Sequence, residues 1–246
     1  MFRFQTFFSC AAALLVGVTA CSVPDMNVSE GLRQETTAMP VVGRSAFRLS
    51  LGSEKGFGFG AYRLHDIKRG WTRRTGTSPE SLLQVSEAYQ KYSFGLTDTV
   101  RQKTVLVQAA AMLNSVAAEA GGWSVNLDKQ REFLKVAFQT PESGTWELSL
   151  ADPGNYTERV NFRGELSNGT HEIEVQPLYK WEGKALPSGT ALGYEFSQNG
   201  YVLASVQTVN NGKVWLKNTL SPDLQLVLAS ACGSLLLYNQ LAAEGQ

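Results

Sequence analysis

Residues Leu192–Leu241 read LGYEFSQNGYVLASVQTVNNGKVWLKNTLSPDLQLVLASACGSLLLYNQL. Three apolar-rich runs, Leu192–Gln198, Tyr201–Val209 and Val214–Lys217, are separated by Asn199-Gly200 and by Asn210-Asn211-Gly212. Asn and Gly accept the positive φ angles that tight hairpin turns need, so the runs predict an antiparallel meander. Ser221-Pro222-Asp223 then supplies a capping residue, a proline suited to the first helical position and an acid facing the helix dipole. A helix over 222–241 follows, with Leu224, Leu226, Val227, Leu228, Ala229, Ala231, Cys232, Leu235, Leu236, Leu237, Tyr238 and Leu241 surrounding its axis. A helix apolar on every side is buried on every side. Its length and lack of charge also suit a membrane span, but Gln225, Ser230, Gly233 and Ser234 interrupt it, which favours a post buried inside the protein. The fold class expected is therefore mainly β: an antiparallel β-barrel or strongly curved meander sheet packed around a buried hydrophobic C-terminal helix.

Working outward, Phe47–Leu51, Phe57–Ile67, Phe133–Thr140, Trp146–Leu150 and His171–Leu178 carry β-branched, aromatic or alternating residues between turn formers and read as strands. Asn168-Gly169 marks another turn. No βαβ period appears, so a parallel sheet is not expected. Ser78-Pro79-Glu80 reads as a helix start, with a short helix running to about Gln90. Residues 104–120 stay unassigned, because Val105-Leu106-Val107 favours strand and the alanines after it favour helix. Strand alternation puts Gly58 and Gly60 on one face and Phe57 and Phe59 on the other; the glycine face marks either close approach of the helix or a twisted, bulged strand.

A β-meander leading directly into an all-round apolar terminal helix resembles the tubby-like, scramblase and LURP-one-related superfamily. The matching residues are Gly193-Tyr194-Glu195-Phe196, Asn199-Gly200, Val202-Leu203-Ala204-Ser205-Val206, Trp215-Leu216 and Asp223 through Tyr238. The resemblance implies a closed antiparallel barrel wrapping the helix. That superfamily includes phosphoinositide binders, but the basic residues of their site have no one-to-one counterparts in this chain.

The N-terminus speaks to location. Arg3, an apolar run from Cys10 to Val18 and then Val18-Thr19-Ala20-Cys21 form an export signal too short to span a bilayer permanently. The last four residues resemble the lipobox of bacterial lipoproteins, which implies diacylglycerol on the Cys21 thiol, cleavage before Cys21 and acylation of the new amino terminus. An ordinary secretory signal cut at the same bond, leaving a free thiol, is the rival. Ser22 stands where an Asp would retain an enterobacterial lipoprotein at the inner membrane, so the resemblance implies a lipid-anchored protein at the periplasmic face of the outer membrane. An inner-membrane lipoprotein and a secreted protein are the alternatives. The expected organisation is a signal peptide over 1–20, a lipidated Cys and flexible tether rich in polar residues over 21–43, and a single β-rich domain over 44–246.

Composition and chemistry exclude more than they identify. Without residues 1–20 the chain has 21 basic side chains against 22 acidic, so it lacks the basic excess of a general nucleic-acid binder. Cys232 alone remains once Cys21 is acylated, which gives no disulfide framework and reads as buried packing. His65 and His171 are the only histidines; they are far apart, no cysteine joins them, and no metal site or cofactor is expected. There is no Gly-x-Ser-x-Gly elbow, and neighbours in a strand point to opposite faces, so His65 and Asp66 are not expected to form a dyad. Gly56, Gly58 and Gly60 lack the ending of a phosphate loop, and Glu172 and Glu174 read as one solvated strand face. No catalytic residue is assigned: a non-enzymatic binding or interaction module of the cell envelope is expected, with a lipid- or anionic-head-group-binding protein and an enzyme with an unrecognised carboxylate site as the alternatives. The one local charge cluster is Lys68, Arg69, Arg73 and Arg74 around Trp71. It reads as a solvated hairpin tip or as a patch for anionic lipid or glycan, since arginine pairs with phosphate and tryptophan favours interfaces. The expected partners are the membrane, reached through the N-terminal lipid, and an envelope protein or lipid; nucleic acid is not among them.

Overall fold

The structure is a computed structural model that describes residues 24–44, 56–70, 73–76, 83–120, 123–126, 131–152 and 162–238. Its strands are β1 (Met39–Val42), β2 (Gly58–Phe59), β3 (Tyr62–Arg69), β4 (Arg73–Gly76), β5 (Leu83–Asp98), β6 (Lys103–Ala120), β7 (Trp123–Asn126), β8 (Arg131–Thr140), β9 (Gly144–Asp152), β10 (Arg163–Ser167), β11 (Glu172–Leu178), β12 (Gly193–Gln198), β13 (Tyr201–Gln207) and β14 (Lys213–Leu216). Two helices join them, α1 (Glu30–Glu35) and α2 (Pro222–Leu237). Twelve of these strands form one closed antiparallel ring in meander order. Its seam is the pairing of the first strand with the last, Met39 opposite Val214 and Pro40 opposite Lys213. β4 and β7 stand outside the ring: they flank the β5–β6 hairpin where it runs past the ends of β3 and β8.

Alternation along each strand sends one set of side chains inward. Leu64, Phe94, Leu96, Val107, Leu134, Val136, Trp146, Leu148, Ile173, Phe196 and Val206 join α2 in a single buried cluster. Outward positions are mostly polar, among them exposed Lys135, Glu147, Ser149, Glu172 and Glu174, with Leu106, Met112 and Phe133 as exposed apolar exceptions. Every residue of α2 from Gln225 onward is buried, and the helix touches β13 and β14 on one wall and β5, β6 and β8 on the opposite wall. It therefore runs through the lumen. The alanines that made 104–120 ambiguous explain themselves here: Ala109 and Ala111 face inward from β6, where small side chains leave room for the helix. Gly233 does the same from the helix side, since a Cβ there would sit 3.2 Å from Leu64 and 3.4 Å from Leu96.

The helix gives the barrel two unlike ends. At its N-terminal end the connections are short: 60–61, 99–102, 141–143, 168–171, 199–200 and 217–221. Several carry the residues such turns demand, with φ +78° at Gly200 and +52° at Asn199. At the C-terminal end lie the long connections, among them 43–57, 70–82 and 179–192.

Four sequence expectations are corrected. Residues 24–43 are no tether. Asp25–Ala38 cross the outside of β12–β14, where Met26, Val28, Leu32, Leu192 and Trp215 form a second buried cluster, and 39–42 close the barrel; burial of scattered apolar residues outweighs a polar composition. Residues 83–90 are strand, not helix, because their ladder to β6 runs unbroken from Leu83 to Asp98 and overrides the local start signal. Phe57–Ile67 is a hairpin, turned at Gly60 with φ +53°. The glycine face does not meet the helix: a Cβ on Gly58 would collide with the outward Arg63 side chain at 2.6 Å, while Phe57 and Phe59 enter the core. The strand read at Phe47–Leu51 lies outside the described residues, as do the last residues of the helix expected over 222–241.

Candidate functional site

With the lumen filled by α2, chemistry that reaches solvent sits on the ends and outer walls. At the short-turn end the helix start is locked by polar contacts. Ser221 accepts from the Leu224 N–H at 3.3 Å, and the Asp223 carboxylate accepts from Ser143, whose Oγ in turn accepts from Trp146 Nε1 at 2.7 Å. His171 stacks on Trp146 with ring centroids 6.4 Å apart. Asp98 is buried and accepts from the Val100 and Arg101 N–H groups at 2.9 and 3.1 Å and from the Arg101 guanidinium at 2.8 Å. Burial alone would raise its pKa, but the bonds from Arg101 and Val100 outweigh it and hold the carboxyl below its usual range. Arg101 also reaches Gln225 of the helix at 3.2 Å, so this network ties a β-turn to the post. Beside it, Tyr62 is pushed up to about 12 by burial and then by the Asp98 charge.

His65 and Asp66 depart from the sequence expectation. A β-bulge between His65 and Lys68 breaks the alternation, Asp66 takes φ +52°, and the two side chains meet at 2.8 Å. The imidazole continues to Thr97 Oγ1 at 3.0 Å, and Thr97 to Thr104 Oγ1 at 2.8 Å. Gly95 makes this fit, since a Cβ there would lie 2.4 Å from the ring. The chain has the order of an acid–base–hydroxyl relay, but it lies on a convex wall, with the side chains of His65 and Asp66 43% and 82% exposed. Water screens such a pair and solvates any charge developing at Thr97, so the arrangement latches β3 to β5 and β6 rather than building a reactive centre. Alternation hid it, because a bulge has no signature in these residues.

At the long-connection end the predicted basic cluster divides. Lys68 is exposed. Arg69 instead reaches inward and donates to the Leu237 carbonyl at 3.2 Å, satisfying the last turn of α2 as cations at helix C-termini do. Arg73 and Arg74 fall on β4, paired with Tyr89 and Ala88 of β5; Trp71 lies outside the described residues, as does Cys21. The loop at this end, 179–191, carries exposed Lys180, Lys184 and Leu186 and a half-buried Trp181. The incoming chain pins it: Met26 bridges Trp181, the Asn27 N–H donates to Lys180 O at 2.8 Å, and the Glu182 N–H to Asp25 O at 2.8 Å. Nearby, a groove of about 1000 Å³ runs along β9–β11 beside Phe162, Gly164, Glu165, Glu174 and Tyr179; its polar side is acidic, so it does not suit an anionic ligand.

Cys232 is fully buried in the helix, and burial pushes its thiol up, which keeps it protonated and inert. Comparison with protein-family models, with curated proteins and with solved structures gave no match.

Proposed function

We propose that this protein is a lipid-anchored cell-envelope module that acts by binding or holding a partner rather than by catalysing a reaction. Its location, read from the lipobox at Val18–Cys21, is the periplasmic face of the outer membrane. The observation that supports a binding role is the filled lumen: α2 and the inward side chains occupy the space in which a barrel of this kind would hold an acyl chain or a substrate. Interaction then falls to the outer walls and loops. The closed ring around a central helix also supports kinship with the tubby-like and LURP-one-related proteins.

Intact mass of the membrane-extracted protein tests the anchor. Cleavage before Cys21 with added acyl chains is expected, and Cys21→Ser should block maturation; an unmodified Cys21 in the mature protein would remove this reading. Native mass spectrometry of the same material then shows whether a protein or lipid travels with it.

A second reading, binding of anionic head groups, is favoured by exposed Lys68 and by Arg73 and Arg74 on β4, which follows β3 along the same edge of β5. Flotation with phosphatidylglycerol vesicles should weaken as salt rises, because surface attraction is screened. Lys68, Arg73 and Arg74 are the residues to replace by Gln; Arg69 is left intact because it caps the helix. Unchanged flotation of the triple variant would reduce the cluster to a solvated tip.

A further inference from the structure

We infer that the β12–β14 side of the long-connection end is held against the bilayer, with the 179–191 loop as its contact, and that the shortness of the chain between Cys21 and Asp25 enforces this orientation. The inference rests on the lipid-anchor reading above and adds to it a geometry. Had 21–43 been a tether, an acylated Cys21 would leave the barrel free to tumble at a distance. The structure replaces the tether with a strap whose first fixed point is Asp25. There the backbone of Asp25 accepts from Glu182, its carboxylate pairs with Lys213, and the next residue, Met26, is fully buried with its N–H donating to Gln207 at 2.8 Å. Four residue steps separate Asp25 from Cys21, and a fully extended chain covers at most about 3.6 Å per step, or roughly 14 Å. The β12–β14 wall therefore cannot stand off from the head groups at this end.

What the wall presents there suits a membrane surface. Leu186 is 81% exposed, a side chain with little to gain from water. Trp181 is half-buried and flanked by exposed Lys180 and Lys184, the pairing of amphipathic ring and snorkelling cation found at membrane interfaces. Of the acids on the strap and the loop, Asp25 is engaged with Lys213 and Glu182 with Arg33, which leaves exposed Lys184 outward and exposed Lys180 at the border of the groove that carries Glu165 and Glu174. Exposed Lys68, and Arg73 and Arg74 in β4, lie toward the same end on the other side of the ring. At the opposite end Arg101 pairs with Asp98, Lys103 with Glu142 and Lys217 with Glu35, and exposed Arg63 donates to the Gly60 and Tyr62 carbonyls. Cations near an anionic surface are attracted to it, so the charge distribution favours the orientation that the short connection imposes.

The test uses the full-length acylated protein in vesicles of phosphatidylethanolamine and phosphatidylglycerol. Leu186→Cys and Thr170→Cys variants, one at each end, carry an environment-sensitive fluorophore; Cys21 is blocked by lipid and Cys232 is buried. The label at 186 should lose most of its quenching by aqueous iodide and gain quenching by spin-labelled lipid, while the label at 170 stays as iodide-accessible as in detergent. A flexible Gly-Ser insertion between Val23 and Pro24 should return position 186 toward the accessibility of 170. Intact mass on the same samples separates the two failures. Absent acyl chains would defeat the anchor reading itself. Acylated protein with equal iodide quenching at both positions would overturn the orientation, and protection at 186 that survives the insertion would show that the short connection is not what imposes it.

Discussion

The two ends of this barrel solve the same problem in different ways. Both must close a ring around a helix that offers unpaired N–H groups at one end and unpaired carbonyls at the other. At the short-turn end the solution is local: Ser221 caps the helix, Ser143 and Trp146 hold Asp223, and the turn at Asp98 reaches Gln225 through Arg101. At the long-connection end it is distant in sequence. Arg69 of β3 takes the Leu237 carbonyl and Tyr92 of β5 donates to Ser234 O at 2.9 Å, while the wall is sealed by a strap that arrives from the chain's beginning. One end is fastened by its own turns and pairs Arg101 with Asp98 and Lys103 with Glu142; the other is fastened by long-range contacts and leaves loops and lysines outward.

The comparison breaks most severely at the element both ends share. Leu228→Asp and Leu235→Asp, placed on either half of α2, should each unfold the domain, because a buried carboxylate without a partner costs several kcal/mol against a total stability of about 5–15 kcal/mol. Circular dichroism and limited proteolysis of an unacylated protein starting at Ser22 would read this, and a folded Leu235→Asp variant would show the long-connection half to be loosely packed. Next in size is Asp98→Ala, which removes three hydrogen bonds from a buried carboxylate and leaves Arg101 without its partner. A loss of about 2–3 kcal/mol in urea unfolding is expected. Because the native pKa of Asp98 is lowered, its contribution is complete above the unfolded value and fades as pH falls through the native one, so wild type and variant should converge in acid.

Arg69→Met should cost less, about 1 kcal/mol, by freeing the last carbonyls of the helix at the end where long-range contacts do the fastening. Hydrogen exchange should then rise at the α2 C-terminus and stay unchanged near Ser221; a uniform rise would mean the ends are not independent. The smallest effect has the opposite sign. Glu195 faces outward on β12 beneath the strap, and burial, partly offset by hydrogen bonding from Ser29, raises its carboxyl pKa. A carboxyl raised in the native state weakens stability as pH climbs from the unfolded value through the native one. Glu195→Gln should therefore leave acid stability unchanged and give a gain of no more than about 1 kcal/mol at neutral pH. No gain would mean that the strap leaves this acid solvated.

The short-turn end was legible in the sequence because its determinants are contiguous. Asn199-Gly200, Asn168-Gly169 and Ser221-Pro222-Asp223 each specify a turn or cap from their own residues, and the all-round apolar helix demanded an enclosure. The long-connection end was not, because its determinants are paired across the chain. Nothing near Pro24–Val42 says that Leu32 packs with Trp215, and nothing near Ser78 says that β6 will pair with the residues after it. The same holds for the sites: Arg69 looked like a member of a surface cluster until the Leu237 carbonyl came within its reach, and His65 and Asp66 were separated by an alternation that a single bulge reverses.

The seam between β1 and β14 has a kinetic consequence. Ring closure joins residues near opposite ends of the chain, Met39 to Val214, and the post that fills the ring is made only after its final strand. Neither the enclosed core nor the seam can form on a partial chain, and pairing over such separations is slow. A nascent chain leaving the ribosome thus stays open until α2 has been made.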